Sequence, residues 1–118
     1  CASFEVHRIR RLRFLSDIPC AMEEIWLDGK WAQDIRKDDL SESLYHYYER
    51  KLGLLIARVE DRVGVAPLPP WTLPQIGLPA GADVGFVERW SQTADGDVVE
   101  YSRTWFNHHS ARYVSRFK

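Results

Sequence analysis

Apolar and polar positions alternate along much of this chain, and a period of two predicts strands. Residues 3–14 read as a long strand with Phe4, Val6, Ile9, Leu12 and Phe14 as its apolar positions and Arg8, Arg10, Arg11 and Arg13 between them. The alternation slips once between Val6 and Ile9, which a β-bulge would accommodate. Leu15-Ser16-Asp17-Ile18-Pro19 reads as a turn and residues 20–27 as a second strand. Asp28-Gly29-Lys30 ends that strand, and residues 31–37 form a loop with a short helical turn. Residues 39–52 switch to a helical period. Asp39 and Glu42 make a capping box, Leu44, Tyr47, Tyr48 and Leu52 fall on one stripe, and Gly53 supplies the stop.

Residues 54–65 predict a third strand, less clean around Glu60-Asp61-Arg62. Residues 66–81 carry five of the six prolines, with Trp71 and Ile76 as apolar anchors and room for a short helix over 71–76 that Pro74 limits. A hairpin follows over residues 83–106, turning at Asp95-Gly96, and Asn107-His108-His109-Ser110 leads into a last short strand over 112–117. The order strand, strand, helix, strand, short helix, strand, strand, strand, joined by short connections, predicts an α+β domain: an antiparallel sheet with helices packed on it.

Composition narrows the classes. At 118 residues the chain makes one domain, and a net charge of −1 gives it no electrostatic case of its own for gripping nucleic acid. No apolar run approaches the ~18–20 residues that span a membrane. Two cysteines, Cys1 and Cys20, make no disulfide framework, so a reducing cytoplasm is the expected compartment. The Cys1 start places residues 1–2 as a fragment boundary or leader and residues 3–118 as the domain.

Candidate chemistry sits mainly on the strands. Arg11 and Arg13 share a strand face, and paired guanidinium groups suit a phosphate or carboxylate. An edge strand whose arginines deter aggregation is the simpler reading of that spacing. Ser43-Leu44-Tyr45 lies in the first turn of the predicted helix, where free N–H groups and a hydroxyl favour an anion, though capping alone is the commoner use. Glu23 and Glu100, mid-strand among apolar neighbours, either pair with arginines or accept hydrogen bonds from a ligand. In the hairpin, Glu100 and Ser102 share one face while Tyr101, Arg103 and Trp105 share the other. Charges at Glu88, Arg89, Glu100 and Arg103 make it either a salt-bridged ribbon or one wall of a polar pocket. Adjacent His108 and His109 point apart without a ligand-spaced partner, so no metal is expected. Cys20 reads as a small buried residue, and the scattered glycines form no phosphate loop, so no cofactor is implied.

Arg11-Leu12-Arg13, Ile18-Pro19-Cys20-Ala21-Met22-Glu23-Glu24-Ile25-Trp26-Leu27, Ser43-Leu44-Tyr45, Val87-Glu88-Arg89, Asp95-Gly96, Val99-Glu100-Tyr101-Ser102-Arg103 and Arg112-Tyr113 follow one another in an order that resembles the UTRA domain. UTRA is the C-terminal effector-sensing domain of HutC-type regulators in the GntR superfamily of bacterial transcription factors. The resemblance covers nearly the whole chain. It implies a chorismate-lyase-like fold with an antiparallel sheet of about six strands and packed helices. It also implies a non-enzymatic, cytoplasmic, homodimeric sensor that binds a small anionic metabolite, such as a phosphorylated sugar or carboxylate. DNA would be contacted only through an N-terminal winged helix-turn-helix, which is absent from this stretch.

Carried residue by residue, the resemblance assigns the anion to Arg11, Arg13 and Ser43, with Tyr45 beside it. It assigns hydroxyl or amine groups to Glu23 and Glu100, with Ser102 on the same wall. The chain departs from the family pattern at Asn107-His108-His109-Ser110-Ala111, where a Gly-Asp turn is usual, and in its extra tryptophans, Trp26, Trp71, Trp90 and Trp105. The rival from another class is a chorismate-lyase-like enzyme acting on a small carboxylated metabolite through Arg11, Glu23 and Glu100.

Overall fold

The computed structural model describes residues 6–28 and 56–116. Among them five strands form one antiparallel sheet: β1 Val6–Leu15, β2 Ile18–Asp28, β3 Arg58–Pro67, β4 Asp83–Gln92 and β5 Val98–Phe106. The spatial order is β1-β2-β5-β4-β3, so β2 and β5 are distant in sequence yet adjacent, and β1 and β3 form the two edges. The predicted helix over 39–52 lies outside the described residues.

Several expectations need correction. The sixth strand does not form, since residues 111–116 carry no regular structure. Arg112 turns back instead to donate to the His108 and Ala111 carbonyls. The β1 bulge lies at Arg13/Phe14, and pairing from Val6↔Asp28 to Arg13↔Ala21 is unbroken. The slip in the apolar pattern reflects apolar residues on both faces: Ile9 on one, Leu12 on the other. The short helix contracts to a 3₁₀ turn, Pro74–Ile76, with Pro74 opening it and Gly77 (φ 78°) closing it. The hairpin tip is wider than a two-residue turn. Thr93 and Asp97 close it with a 3.0 Å N–H···O bond, only Gly96 takes a positive φ, and a register shift at Ser91/Gln92 absorbs the extra length. Ser16 and Asp17, with φ of 49° and 66°, make a tight two-residue turn between β1 and β2.

Alternation sorts the side chains onto two faces. On the front face, three rows cross the sheet in register. Leu12, Met22, Trp105 and Phe86 form an apolar row; Arg10, Glu24, Arg103, Glu88 and Arg62 form a row of alternating charge; Trp26, Tyr101 and Trp90 form an aromatic row. The proline-rich segment folds over the apolar row. Leu68 and Ile76 are buried against Met22, Val84 and Trp105, and Trp71, Leu73 and Leu78 pack around them. Trp71 meets Trp105 edge-on at 5.5 Å, and the Leu73 N–H donates to the Met22 sulfur. The Asn107 amide anchors the far end by donating to the Ile76 carbonyl at 3.2 Å.

The back face carries Arg11 and Arg13 on β1, Glu23, Ile25 and Leu27 on β2, Glu100 and Ser102 on β5, Val87 and Arg89 on β4, and Asp61 on β3. Ile25, Leu27, Val87, Glu100 and Ser102 are all buried there. Gly85 lies opposite Phe106, whose ring covers the position a β-carbon would take; such a carbon would fall 2.1 Å from the ring. Replacing Gly85 with Ala should therefore cost about 1–3 kcal/mol through overpacking. Urea unfolding checks this, and Gly64→Ala, where an added methyl meets nothing in the chain, should cost well under half as much.

Candidate functional site

Two of the expected anion-binding residues meet at a carboxylate. Arg11 lies directly opposite Glu23 in the β1–β2 pairing, and Arg13 lies one same-face position further along. Arg11 Nε donates to Glu23 Oε1 at 3.3 Å and Arg13 Nη1 donates to the same oxygen at 2.9 Å. Arg13 reaches solvent, whereas Arg11 and Glu23 are largely covered. Two guanidinium groups converging on one oxygen leave a strong positive field around it, the condition under which a second oxyanion can be held.

Ser102 and Glu100 share this face. Thr104 faces Glu23 across the β2–β5 pair, so Ser102 stands one same-face step away and Glu100 two steps, roughly 7 Å and 13 Å along the strand. Both are buried. Arg11, Arg13 and Glu23 thus form one group and Ser102 and Glu100 a second, further down the same wall. Ser43 and Tyr45 lie outside the described residues. Tyr101 and Arg103 point to the front face, as the alternation predicts.

A second carboxylate cluster, which sequence reasoning passed over, lies on the front. Glu24 is 2% exposed and sits between two guanidinium groups. Arg10 Nε donates to Oε2 at 2.6 Å and Arg103 Nη2 to Oε1 at 2.7 Å. Burial pushes the Glu24 carboxyl up, but the two arginines outweigh it and hold the group below the usual carboxylate range. The arginines are themselves laid on aromatic rings: Arg10 over Trp71 at 4.5 Å, and Arg103 over Trp26 at 4.7 Å and Trp105 at 5.4 Å. Beside them the Tyr101 hydroxyl donates to Glu88 at 2.6 Å, and burial together with that carboxylate raises its pKa to about 12. The signal available in sequence was the adjacent pair Glu23-Glu24, whose members must point to opposite faces.

On the back face near the β3 edge, Arg89 donates through Nε and Nη2 to the two oxygens of Asp61, at 2.6 and 2.8 Å. The Tyr113 hydroxyl donates to Oδ2 at 2.7 Å. Arg89 lowers the Asp61 pKa despite partial burial, and the bond to Asp61 raises that of Tyr113. This contact ties the segment after β5 back across to β3. Elsewhere an open hollow of about 550 Å³ is lined by Leu15, His109, Ser110, Ala111, Arg112 and Val114. It contains none of the expected site residues and no buried charge, so the carboxylate–arginine wall is the stronger candidate. Among the described residues no three His, Cys, Asp or Glu side chains gather as metal ligands. No helix among them is long and apolar enough to cross a membrane.

Residues 2–112 match the family model of the UTRA domain. The HTH-type transcriptional regulator SmoD of Agrobacterium fabrum is 49% identical over 98% of this chain and 50% of its own length. The mannosyl-D-glycerate transport/metabolism system repressor MngR of Escherichia coli is 30% identical over 86% of this chain and 42% of its own. The chain therefore spans about half the length of the curated relatives it matches. Among solved structures, the Bacillus subtilis regulator YydK superposes with a TM-score of 0.83 over 96% of this chain and 50% of its own, at 21% identity, a likeness of fold.

Glu24 and Asp61 both have folded-state pKa values below their ordinary ones, so their stabilisation is fully present above the unfolded-state pKa and is lost as pH falls through the folded one. Denaturation midpoints should be flat in pH above about 5 and fall steeply below about 4. Glu24→Gln should cost about 1–3 kcal/mol at neutral pH, less than for a fully enclosed pair because both arginine heads reach solvent, and should flatten the acid limb. Urea titrations across pH 3–8 check both.

Proposed function

Since the chain belongs to the UTRA family, a ligand-binding domain of HTH-type transcriptional regulators, we propose that it senses a small anionic metabolite at the Arg11–Arg13–Glu23 wall and transmits its presence to a DNA-binding domain in the longer protein. The observation that carries this reading is the convergence of Arg11 and Arg13 on a single Glu23 oxygen, on the face that also holds Ser102 and Glu100. A phosphate or carboxylate entering there takes hydrogen bonds from the two guanidinium groups, with Ser43 and Tyr45 assigned to complete its shell. Glu23, released from the arginines, then accepts from a ligand hydroxyl or amine. Ser102 and Glu100 read groups further along the molecule. The repressor MngR is named for a system handling mannosyl-D-glycerate, a sugar that carries a carboxylate, which fits an anion anchored at one end and hydroxyls read along the wall.

In this reading the domain is non-catalytic and cytoplasmic, and it works as a homodimer. The lyase-like alternative is not favoured, because the relatives are regulators. The ligand shifts a two-state arrangement of the dimer only as far as its affinities for the two arrangements differ.

Thermal unfolding in the presence of phosphorylated and carboxylated sugars tests the site. An effector at a hundredfold its Kd contributes about 2.7 kcal/mol, a Tm rise of roughly 10 °C or more for a domain of this size. Arg11→Ala and Arg13→Ala should each abolish the rise, and an undiminished rise in both variants would remove the anion site from this wall.

A further inference from the structure

In the site proposed above, an entering anion draws Arg11 and Arg13 away from Glu23 and so breaks the ion pairs that join β1 to β2 behind the sheet. β1 is an edge strand, and among the described strands β2 alone pairs with it. The ion pair in front of the sheet is the one that binding leaves in place. It starts from Arg10, the residue next to Arg11, and its acceptor is Glu24, the residue next to Glu23.

That front pair is built as a fixed point. Glu24 is buried, and its two oxygens are held separately. Oε2 accepts from Arg10 Nε at 2.6 Å and Oε1 from Arg103 Nη2 at 2.7 Å, so one carboxylate on β2 joins β1 to β5. Arg10 also lies over the ring of Trp71, which packs against the buried cluster around Met22 and Trp105. An arginine held both at Nε and across its face steadies the backbone it springs from. Arg11 and Arg13 leave that same backbone one and three residues further on.

We infer that Glu24 is a positioning residue for the anion site: through Arg10 it keeps β1 set, so that Arg11 and Arg13 stay aimed at a visiting anion once Glu23 is released. The inference rests on the site proposed above and adds to it a residue on the opposite face of the sheet. Glu24 does not touch the anion and acts only through Arg10.

Its charge makes the inference decidable. Glu24 is a negative group next in sequence to the site, so by Coulomb repulsion alone its neutralisation strengthens the binding of another anion. Glutamine keeps the shape of glutamate but carries a donor in place of one acceptor oxygen, so it cannot accept from both arginines in this geometry. Losing that convergence frees Arg10 and loosens β1. The added freedom has to be removed again on binding, which weakens it. Repulsion and positioning therefore give Glu24→Gln opposite signs. Arg10→Lys probes the same geometry with no change of charge, because an ammonium lacks the planar fork that covers Trp71 while donating to Glu24.

Isothermal titration calorimetry of the whole chain with glucose 6-phosphate, at about 10 °C and fixed ionic strength, compares wild type, Arg13→Ala, Glu24→Gln and Arg10→Lys. Circular dichroism establishes which of them are folded. Wild type should bind and Arg13→Ala should not. Glu24→Gln should bind about tenfold more weakly, and Arg10→Lys several-fold more weakly. A clamp that served stability alone would lower Tm and leave the Kd of the folded protein unchanged. A Kd equal to or tighter than that of wild type in either folded variant would thus overturn the positioning role, while the loss in Arg13→Ala keeps the anion site standing. Should Glu24→Gln not fold, Arg10→Lys decides alone, since it alters a side chain that is 39% exposed. A wild type that binds no glucose 6-phosphate, or whose binding survives Arg13→Ala, would remove the anion site and this inference with it.

Discussion

Two adjacent carboxylates on one inner strand set the electrostatic plan of this domain. Glu23 and Glu24 follow one another in β2, and the pleat sends them to opposite faces. Each would be costly to cover alone. Each is met by two arginines, Arg11 and Arg13 behind the sheet and Arg10 and Arg103 in front. Three of the four come from β1, which explains the arginine density of that strand better than edge protection alone. Moving β1 by one residue against β2 would swap the faces of every arginine and set one of the two carboxylates opposite an apolar residue, Glu23 against Leu12 or Glu24 against Ile9, so the charges support the register that the hydrophobic pattern favours.

The front face grades from dry to wet across three rows, and the tryptophans mark the grade. Trp71 and Trp105 seal the apolar end under the proline-rich segment. Trp26 and Trp90 flank Tyr101 at the other end, at 5.4 and 5.1 Å, half-covered. Between them the row from Arg10 to Arg62 spans all five strands with signs alternating. The tryptophans singled out as departures from the family pattern thus serve two different packing jobs.

Most of the strands were legible because strict alternation leaves few alternatives: β2, β4 and β5 fall within a few residues of where their apolar positions place them. The face assignment of Glu100 and Ser102 against Tyr101 and Arg103 followed from the same period. What alternation cannot carry is pairing. Nothing local joins Arg10 to Glu24 and Arg103, and Tyr113 finds Asp61 across 52 residues. That long-range bond, with Arg112 folded back on His108, holds residues 111–116 out of the strand their β-branched and aromatic residues suggest. The bulge in β1 was misplaced for a related reason, since apolar residues on both faces look like a slip when only one face is counted. Of the candidate site, the convergence of Arg11 and Arg13 on Glu23 needed the β1–β2 register, and the face they share with Glu100 and Ser102 needed the β2–β5 register.

Glu23 gives the proposed sensor a threshold. Held within its own strand opposite Arg11, its carboxylate competes with any visiting anion at an effective concentration on the order of millimolar or above. A metabolite offering only a single carboxylate would merely exchange like for like and gain little. A group with three anionic oxygens can fill both guanidinium forks at once, and a sugar acid can recruit the displaced Glu23 through its hydroxyls. The tethered carboxylate would thus act as a noise filter. Abundant simple anions would leave the switch untouched, and occupied sites would empty quickly once the true effector is consumed.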